Sequence, residues 1–286
     1  EQGTAKSTVA RILRSLIDPS HVPLRAPPKD ARDFLVGAVN NWCITLDNLS
    51  GMQPWLSDCM CRLATGGGYS SRELYSDHDE TLIEVERPSI VNGIDDVATR
   101  PDFAERSILL HLLPIPEEMR TSERKLWSGF EKCRPEILGA ILDMLVCATR
   151  NIHSVNIKRL PRMGDFVEWA VAAENGADKF LYLYNENQKN IVLAGLESSP
   201  VGKSVMALME SSTNWTGSMS DLHNRLTDFI DEDTRRSKAW PKSSNWLSNS
   251  LRRLGSPLRK IGIDVSHNEN DRKVTINKFS TKPENS

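Results

Sequence analysis

Gly3-Thr4-Ala5-Lys6-Ser7-Thr8 sets a cation and two hydroxyls directly behind small residues. That is the chemistry of a phosphate-cradling loop, whose pattern is G-x-x-x-x-G-K-[ST]. In such a loop the backbone N–H groups of Gly3 to Ser7 wrap phosphate oxygens at a helix N-terminus. Lys6 is spaced to reach the β- and γ-phosphates of ATP, and the Ser7 hydroxyl to bind Mg2+. Ala5 stands where the pattern has its second Gly. The first Gly falls one residue before Glu1, as does the strand that should deliver the loop. The sequence therefore reads as truncated at its N-terminus. The expectation is weaker nucleotide binding than in a chain extended upstream.

The loop needs a helix behind it and a second acid at the end of a buried strand, to share the metal. "VARILRSLID" has helical apolar spacing at Val9, Ile12, Leu13, Leu16 and Ile17. "NWCITLDNLS" reads as a short buried strand, and Asp47 follows its apolar Cys43, Ile44 and Leu46. An Asp ending a strand is common. The ordered set of loop, helix, strand and Asp is much rarer.

Other helices are expected over "DARDFLVGAVN" and "QPWLSDCMCRLATGGG", the latter stopped by glycines. Strands are expected in "PSIVNGI" and over Ile108 to Leu112. This alternation argues for an α/β layer fold with a parallel sheet.

Together, "GTAKST", "ITLDN", "RPSIVNGI" and "DFAERSILLHL" resemble, in order, the motifs of AAA+ type P-loop ATPases. The similarity is greatest to superfamily III helicases and to the helicase portion of phage and plasmid primase-helicases. It covers residues 1–115 best. The "LATGGGYSSRELYSDHDE" stretch looks like the segment before the polar sensor in mobile-element ATPases of this type.

The resemblance implies roles. Lys6 and Ser7 match the Walker A lysine and hydroxyl, and Asp47 the metal-binding acid. Asn92 matches the sensor that orients the attacking water. Arg106 matches the arginine finger inserted into a neighbouring subunit, with Arg100 as a second candidate. Arg162 sits where a lid arginine touches nucleotide. The implied assembly is a homo-oligomeric ring of the hexameric kind, drawing single-stranded DNA.

The residues also have plainer readings. Asn92 precedes Gly93, and Asn-Gly is a turn signal. Arg106 on its own would be a surface ion-pair residue. One departure concerns the chemistry: Asn48 follows Asp47, where the family commonly has Glu. An amide orients water but cannot accept its proton. Asp58 and Glu80 are the substitutes considered for that base.

The rest of the chain divides by composition. Residues 1–116 are read as the ATPase core, 117–200 as a helical lid and 201–286 as a winged-helix domain. The lid rests on "PEILGAILDMLVCATRNI", with Leu138, Ile141, Leu142, Leu145 and Val146 on one helical face. In the last region, "SSNWLSNSLRRLGSPLRK" reads as a helix. Trp246, Leu247, Leu251 and Leu254 are expected inward, and two strands follow around "HNENDR".

Residues 235–286 carry 12 Lys/Arg against 4 Asp/Glu, whereas the preceding residues carry 24 against 34. A basic tail on an acidic body suggests nucleic acid, duplex as well as single-stranded. Asn249, Arg252, Arg253, Arg259, Lys260, Arg272 and Lys273 are the expected contacts, through a groove-entering helix and a hairpin wing. A solvated tail or a protein-binding winged helix would carry the same charge.

Five cysteines, an odd number with no C-x-x-C pair, read as reduced thiols of a cytoplasmic protein rather than a zinc site. No apolar run approaches the roughly 20 residues of a membrane span. Gly202-Lys203-Ser204 is a decoy for a second phosphate loop, because its first Gly is missing and Pro200 intrudes. The functional expectation is an ATP-hydrolysing DNA motor of a phage or mobile-element replication protein. The alternative is an ATP-switched DNA-binding regulator with weak or no hydrolysis.

Overall fold

The computed structural model describes residues 3–72, 80–93, 100–174, 179–268 and 273–279. The chain divides into two compact units, Glu1–Asn185 and Glu186–Ser286. The helical region expected over 117–200 is thus split between them. Among the described residues, no single helix is long and apolar enough to cross a membrane.

The first unit begins with α1 (Lys6–Ile17), α2 (Ala31–Val39), β1 (Ile44–Leu49) and α3 (Pro54–Leu63). Asp30 caps α2 by accepting from the Asp33 N–H, and Pro54 opens α3, where no N–H partner is needed. An antiparallel hairpin follows, β2 (Gly68–Arg72) with β3 (Glu80–Glu84). Then come β4 (Ser89–Gly93) and the short α4 (Pro101–Ala104).

β1 pairs in parallel with β4, Ile44 opposite Ser89 and Leu46 opposite Val91. On its other edge β1 bonds to Arg25: the Arg25 N–H donates to Thr45 O, and the Asp47 N–H to Arg25 O. The core gathers Phe34, Leu35, Ile44, Leu46, Leu49, Leu56, Met60, Leu63 and Phe103 around this strand pair. Tyr69, from the hairpin, is buried among them, and burial pushes its hydroxyl pKa up to about 12.

The strand expected over Ile108 to Leu112 does not form. Both edges of β1 are occupied, and no described strand lies beyond β4. Without a neighbour a strand cannot satisfy its backbone. Ile108, Leu110 and Leu113 remain exposed.

A helical layer completes the unit: α5 (Glu123–Asn151), α6 (Gly164–Ala173) and the start of α7 (Lys179–Ser198). Val167, Val171 and Tyr184 are buried together here, and Phe180 stacks on Tyr184. The apolar face expected to pack along α5 is largely bare, with Ile141, Leu142, Leu145 and Val146 exposed. Length explains this. α6 has 10 residues and α5 has 29, so α6 spans about a third of α5's length at ~1.5 Å per residue.

The second unit contains α8 (Pro200–Ser211), β5 (Asn214–Ser218), α9 (Met219–Thr227), α10 (Glu232–Arg236), α11 (Ser244–Lys260), β6 (Ile263–Asn268) and β7 (Lys273–Lys278). The three strands form an antiparallel sheet in the order β5-β7-β6. β5 occupies the stretch "NWTGS", which the sequence pattern does not mark as a strand. Ser218 then starts α9 with a reciprocal capping box to Asp221. Leu208, Leu222, Leu226, Trp240, Leu247, Leu251, Leu258 and Ile276 form its core. Ser204 of the decoy loop is buried in α8 and donates to Pro200 O, which fits a packing role.

One buried ion pair aligns the first unit. Arg14, 2% exposed, lies on α1 and pairs with Asp18 at 2.6 Å. It also donates to Cys43 O and, at 2.8 Å, to Asn41 Oδ1. Asp18 in turn accepts the Trp42 and Cys43 N–H groups at 2.7 and 3.0 Å. Burial works to raise the Asp18 pKa. The two backbone N–H groups and the Arg14 charge outweigh it, leaving the carboxyl below its ordinary value.

The depressed value means that this contribution is full above the unfolded pKa of about 4 and is lost as pH falls through the folded value. Asp18→Asn should cost about 3 kcal/mol at pH 7, the lower end for a broken buried pair, because Arg14 would be left buried without its counter-charge. The deficit should shrink towards pH 3. Urea melts of both proteins at the two pH values test this; a deficit independent of pH would rule out the linkage.

Candidate functional site

The residues proposed for phosphate chemistry converge where the head of α1 meets the C-terminal end of β1. Ser7 and Arg14 are seven residues apart, two helical turns, and so share one face of α1. Arg14 is clamped at the start of β1, and Ser7 arrives at its end. The Ser7 hydroxyl donates to Asp47 Oδ1 at 2.8 Å.

The loop ahead of α1 turns through left-handed backbone. Gly3 has φ 80° and Ala5, the residue before the helix, has φ 55°. Alternating handedness of this kind turns successive N–H groups inward to make an anion-binding concavity. Ala5 occupies that conformation at a cost of about 1 kcal/mol that Gly would not incur. Thr4 is 6% exposed and its Oγ1 has no partner among the described residues. Lys6 is half-buried and already engaged, and Thr8 is half-buried on the first turn.

Asn92 ends β4 beside β1. Its Oδ1 accepts the Asn48 N–H at 2.9 Å, while its buried Nδ2 has no partner among the described residues. Asn48 has φ 58°, and the pairing register shifts between Leu46 and Leu49. A side-chain amide tolerates this left-handed geometry better than most residues, which gives Asn48 a backbone role independent of any reaction.

The arginines are held elsewhere. Arg106 donates from Nη1 to Asp102 O at 2.7 Å, and its buried Nε has no partner among the described residues. Arg100 bridges α3 and α4, contacting Asp58 at 2.8 Å, Asp102 at 3.3 Å and Pro54 O at 3.1 Å. Asp58 is therefore committed to an ion pair. Arg162 pairs with Glu105 at 3.5 Å. Glu80 opens β3.

Sequence reasoning missed Arg120. The Ile115 N–H donates to Gly3 O at 3.2 Å, and this brings the chain back over the loop. A Cβ built on Gly3 would lie 3.8 Å from Arg120 Nη2. No spacing rule links position 120 to position 3, so only the fold reveals the approach.

Ser7 and Asp47 offer a hydroxyl and a carboxylate oxygen. These are hard ligands of the kind Mg2+ takes in small number when substrate phosphates supply the rest. The donor set fits that ion. Among the described residues no cluster of three His, Cys, Asp or Glu could hold a metal unaided. Cys43, Cys59 and Cys61 are buried free thiols, and burial pushes their pKa values up, against a reactive role.

In the second unit α11 buries Leu247, Leu251 and Leu258 and exposes Asn245, Asn249, Arg252 and Arg253. Trp246, expected inward, is 54% exposed. It lies about 100° around the helix from Leu247, beyond the reach of the apolar stripe. Helix α11 carries no acidic residue. Arg259 is paired with Asp264 at 3.0 Å, Lys260 is engaged, and Lys273 is exposed at the start of β7. Arg272 lies outside the described residues.

Two family models match the chain. The actinomycete integrative conjugative element replication protein model covers residues 1–183, and the C-terminal domain model of the same replication protein, RepA, covers 201–285. The molecule is thus a replication protein of a mobile element. It belongs to the actinomycete integrative conjugative element replication protein family. No curated protein and no solved structure matches it.

Two backbone positions give a direct test. Ala5→Gly should raise stability by up to about 1 kcal/mol by relieving the left-handed Cβ. Asn48→Val should lower it by about 1–2 kcal/mol, since a β-branched residue resists φ near 58°. Denaturant midpoints measure both, and a stabilising Asn48→Val would contradict the assigned backbone role.

Proposed function

We propose that this replication protein binds ATP with Mg2+ at the loop Gly3–Thr8 and uses it to act on DNA, as a P-loop ATPase of the AAA+ kind. The observation that carries this is the 2.8 Å contact from Ser7 Oγ to Asp47 Oδ1, which unites two positions 40 residues apart. Mg2+, when bound by Ser7 and Asp47, would neutralise phosphate charge.

The loop N–H groups would hold the phosphates. Lys6 would exchange its present partner for the β- and γ-phosphates. The Asn92 amide, fixed through Asn48, would orient water. Arg106 or Arg100, supplied by a neighbouring copy in a ring such as a hexamer, would complete the site once released from its intrachain bonds.

The second unit is read as a DNA-binding winged helix. Its order of helix, strand, three helices and hairpin supports this, as does the acid-free outer face of α11. Asn245 and Asn249 would face base edges, with Arg252, Arg253 and Lys273 on phosphates. Asn48 favours a second reading, an ATP-switched DNA binder with little turnover. An amide accepts no proton from water, and the Asp58 carboxylate is held by Arg100.

Lys6→Ala should weaken ATP binding by roughly 10- to 100-fold, the value of a charge-assisted contact. It should also abolish ATP hydrolysis stimulated by single-stranded DNA. Wild-type binding without DNA-stimulated turnover would reject the motor in favour of the switch. Wild-type affinity in Lys6→Ala would reject the nucleotide site.

Replacing Arg252 and Arg253 by Ala should lower the salt slope of duplex binding by about 1 per lost phosphate contact. An unchanged slope in filter-binding titrations would remove α11 from the interface.

A further inference from the structure

We propose that Arg120 is a phosphate ligand of the nucleotide, supplied by the same chain whose loop holds it. The inference rests on the nucleotide site at Gly3–Thr8 and adds to it a residue outside the motif. Three observations place this side chain.

First, the segment carrying Arg120 contacts the loop on one side and α1 on the other. The Ile115 N–H bonds Gly3 O at 3.2 Å, and Glu123 pairs with Arg11 at 2.8 Å. Between them a short 3-10 turn, Glu117–Met119, leads into Arg120, and Ser122 caps α5 by accepting the Lys125 N–H. The seven residues between these contacts, 116–122, thus run from the loop to α1.

Second, Arg120 points its guanidinium at the loop. Nη2 lies 3.8 Å from where a Cβ of Gly3 would be, and Nε donates to Ile115 O at 3.4 Å. Third, its charge is weakly committed. Among the described residues its ion pair is a loose one, Nη1 to Glu117 Oε1 at 3.9 Å, between side chains 59% and 89% exposed. Such a surface pair contributes little. A polyphosphate carries several charges and matches the planar fork of a guanidinium, so exchange of partners is favoured.

Among the described residues the buried Oγ1 of Thr4, in the loop itself, also lacks a polar partner. Arg120 would therefore add a second cation to the site, besides Lys6.

Calorimetric titration of the full chain with Mg-ATP tests this, together with competition by inorganic tripolyphosphate, which has no base. Arg120→Ala should weaken ATP binding at least tenfold and weaken tripolyphosphate competition in parallel. Arg120→Lys should recover part of the loss, and Glu117→Ala should leave binding equal or tighter. Arg120 is exposed, so its variants should melt with the wild type.

Loss of ATP binding in Lys6→Ala with Arg120→Ala unchanged would overturn the Arg120 assignment alone. A fall in ATP affinity with unchanged tripolyphosphate competition would also overturn it, placing Arg120 on the base or ribose. Wild-type affinity in Lys6→Ala would overturn the site and the assignment with it.

Discussion

The first unit depends on the clamp between Arg14, Asp18 and the start of β1. A buried guanidinium with a carboxylate partner is costly to desolvate, and it persists because its donors and acceptors are met. Arg14 has Cys43 O, Asn41 Oδ1 and Asp18; Asp18 has Arg14 and two backbone N–H groups. The clamp fixes α1 antiparallel to β1 at one end. From Arg14 to Ser7 the helix rises about 10 Å, and from Cys43 to Asp47 the strand extends about 13 Å. These lengths are close enough for the second contact, Ser7 with Asp47, to form at the other end. A structural pair at the base of the strand therefore sets the geometry of the polar pair at its tip.

The same tip gathers the less regular backbone. Gly3, Ala5 and Asn48 are left-handed, and Asn92 holds Asn48 through its backbone N–H. Local strain of this kind persists only where surrounding bonds over-determine it. Here those bonds are the clamp, the parallel pairing of β1 with β4, and the return of Ile115 to Gly3. The second unit uses a simpler logic. An apolar stripe on α11 docks the helix, and its remaining surface is left to asparagine, arginine and tryptophan.

Much of this was legible in the chain. The helix after the loop, the strand carrying Asp47 and the apolar run before Asn92 follow from periodicity. The acid-free basic helix near the C-terminus also follows from composition. The misses have physical causes. Ile108 to Leu112 has strand composition, but a strand requires a neighbour. The apolar face of α5 outruns the helix that covers it. Trp246 is apolar, but its angular position decides its exposure. Residues 214–218 form a strand only because β7 supplies the pairing edge.

The sequence by itself determined which residue types lie at which intervals. That was enough to single out Lys6, Ser7 and Asp47, while Asn92 joined them only through the resemblance of the ordered motifs to a known family. Tertiary structure alone decided which distant residues share that corner. Arg14 breaks the apolar pattern of α1 and is buried nonetheless, because Asp18 and Cys43 O are waiting for it. Arg120 approaches Gly3 because the chain returns to the loop at Ile115. Periodicity reports a segment's own faces, and these contacts depend on how separate segments meet.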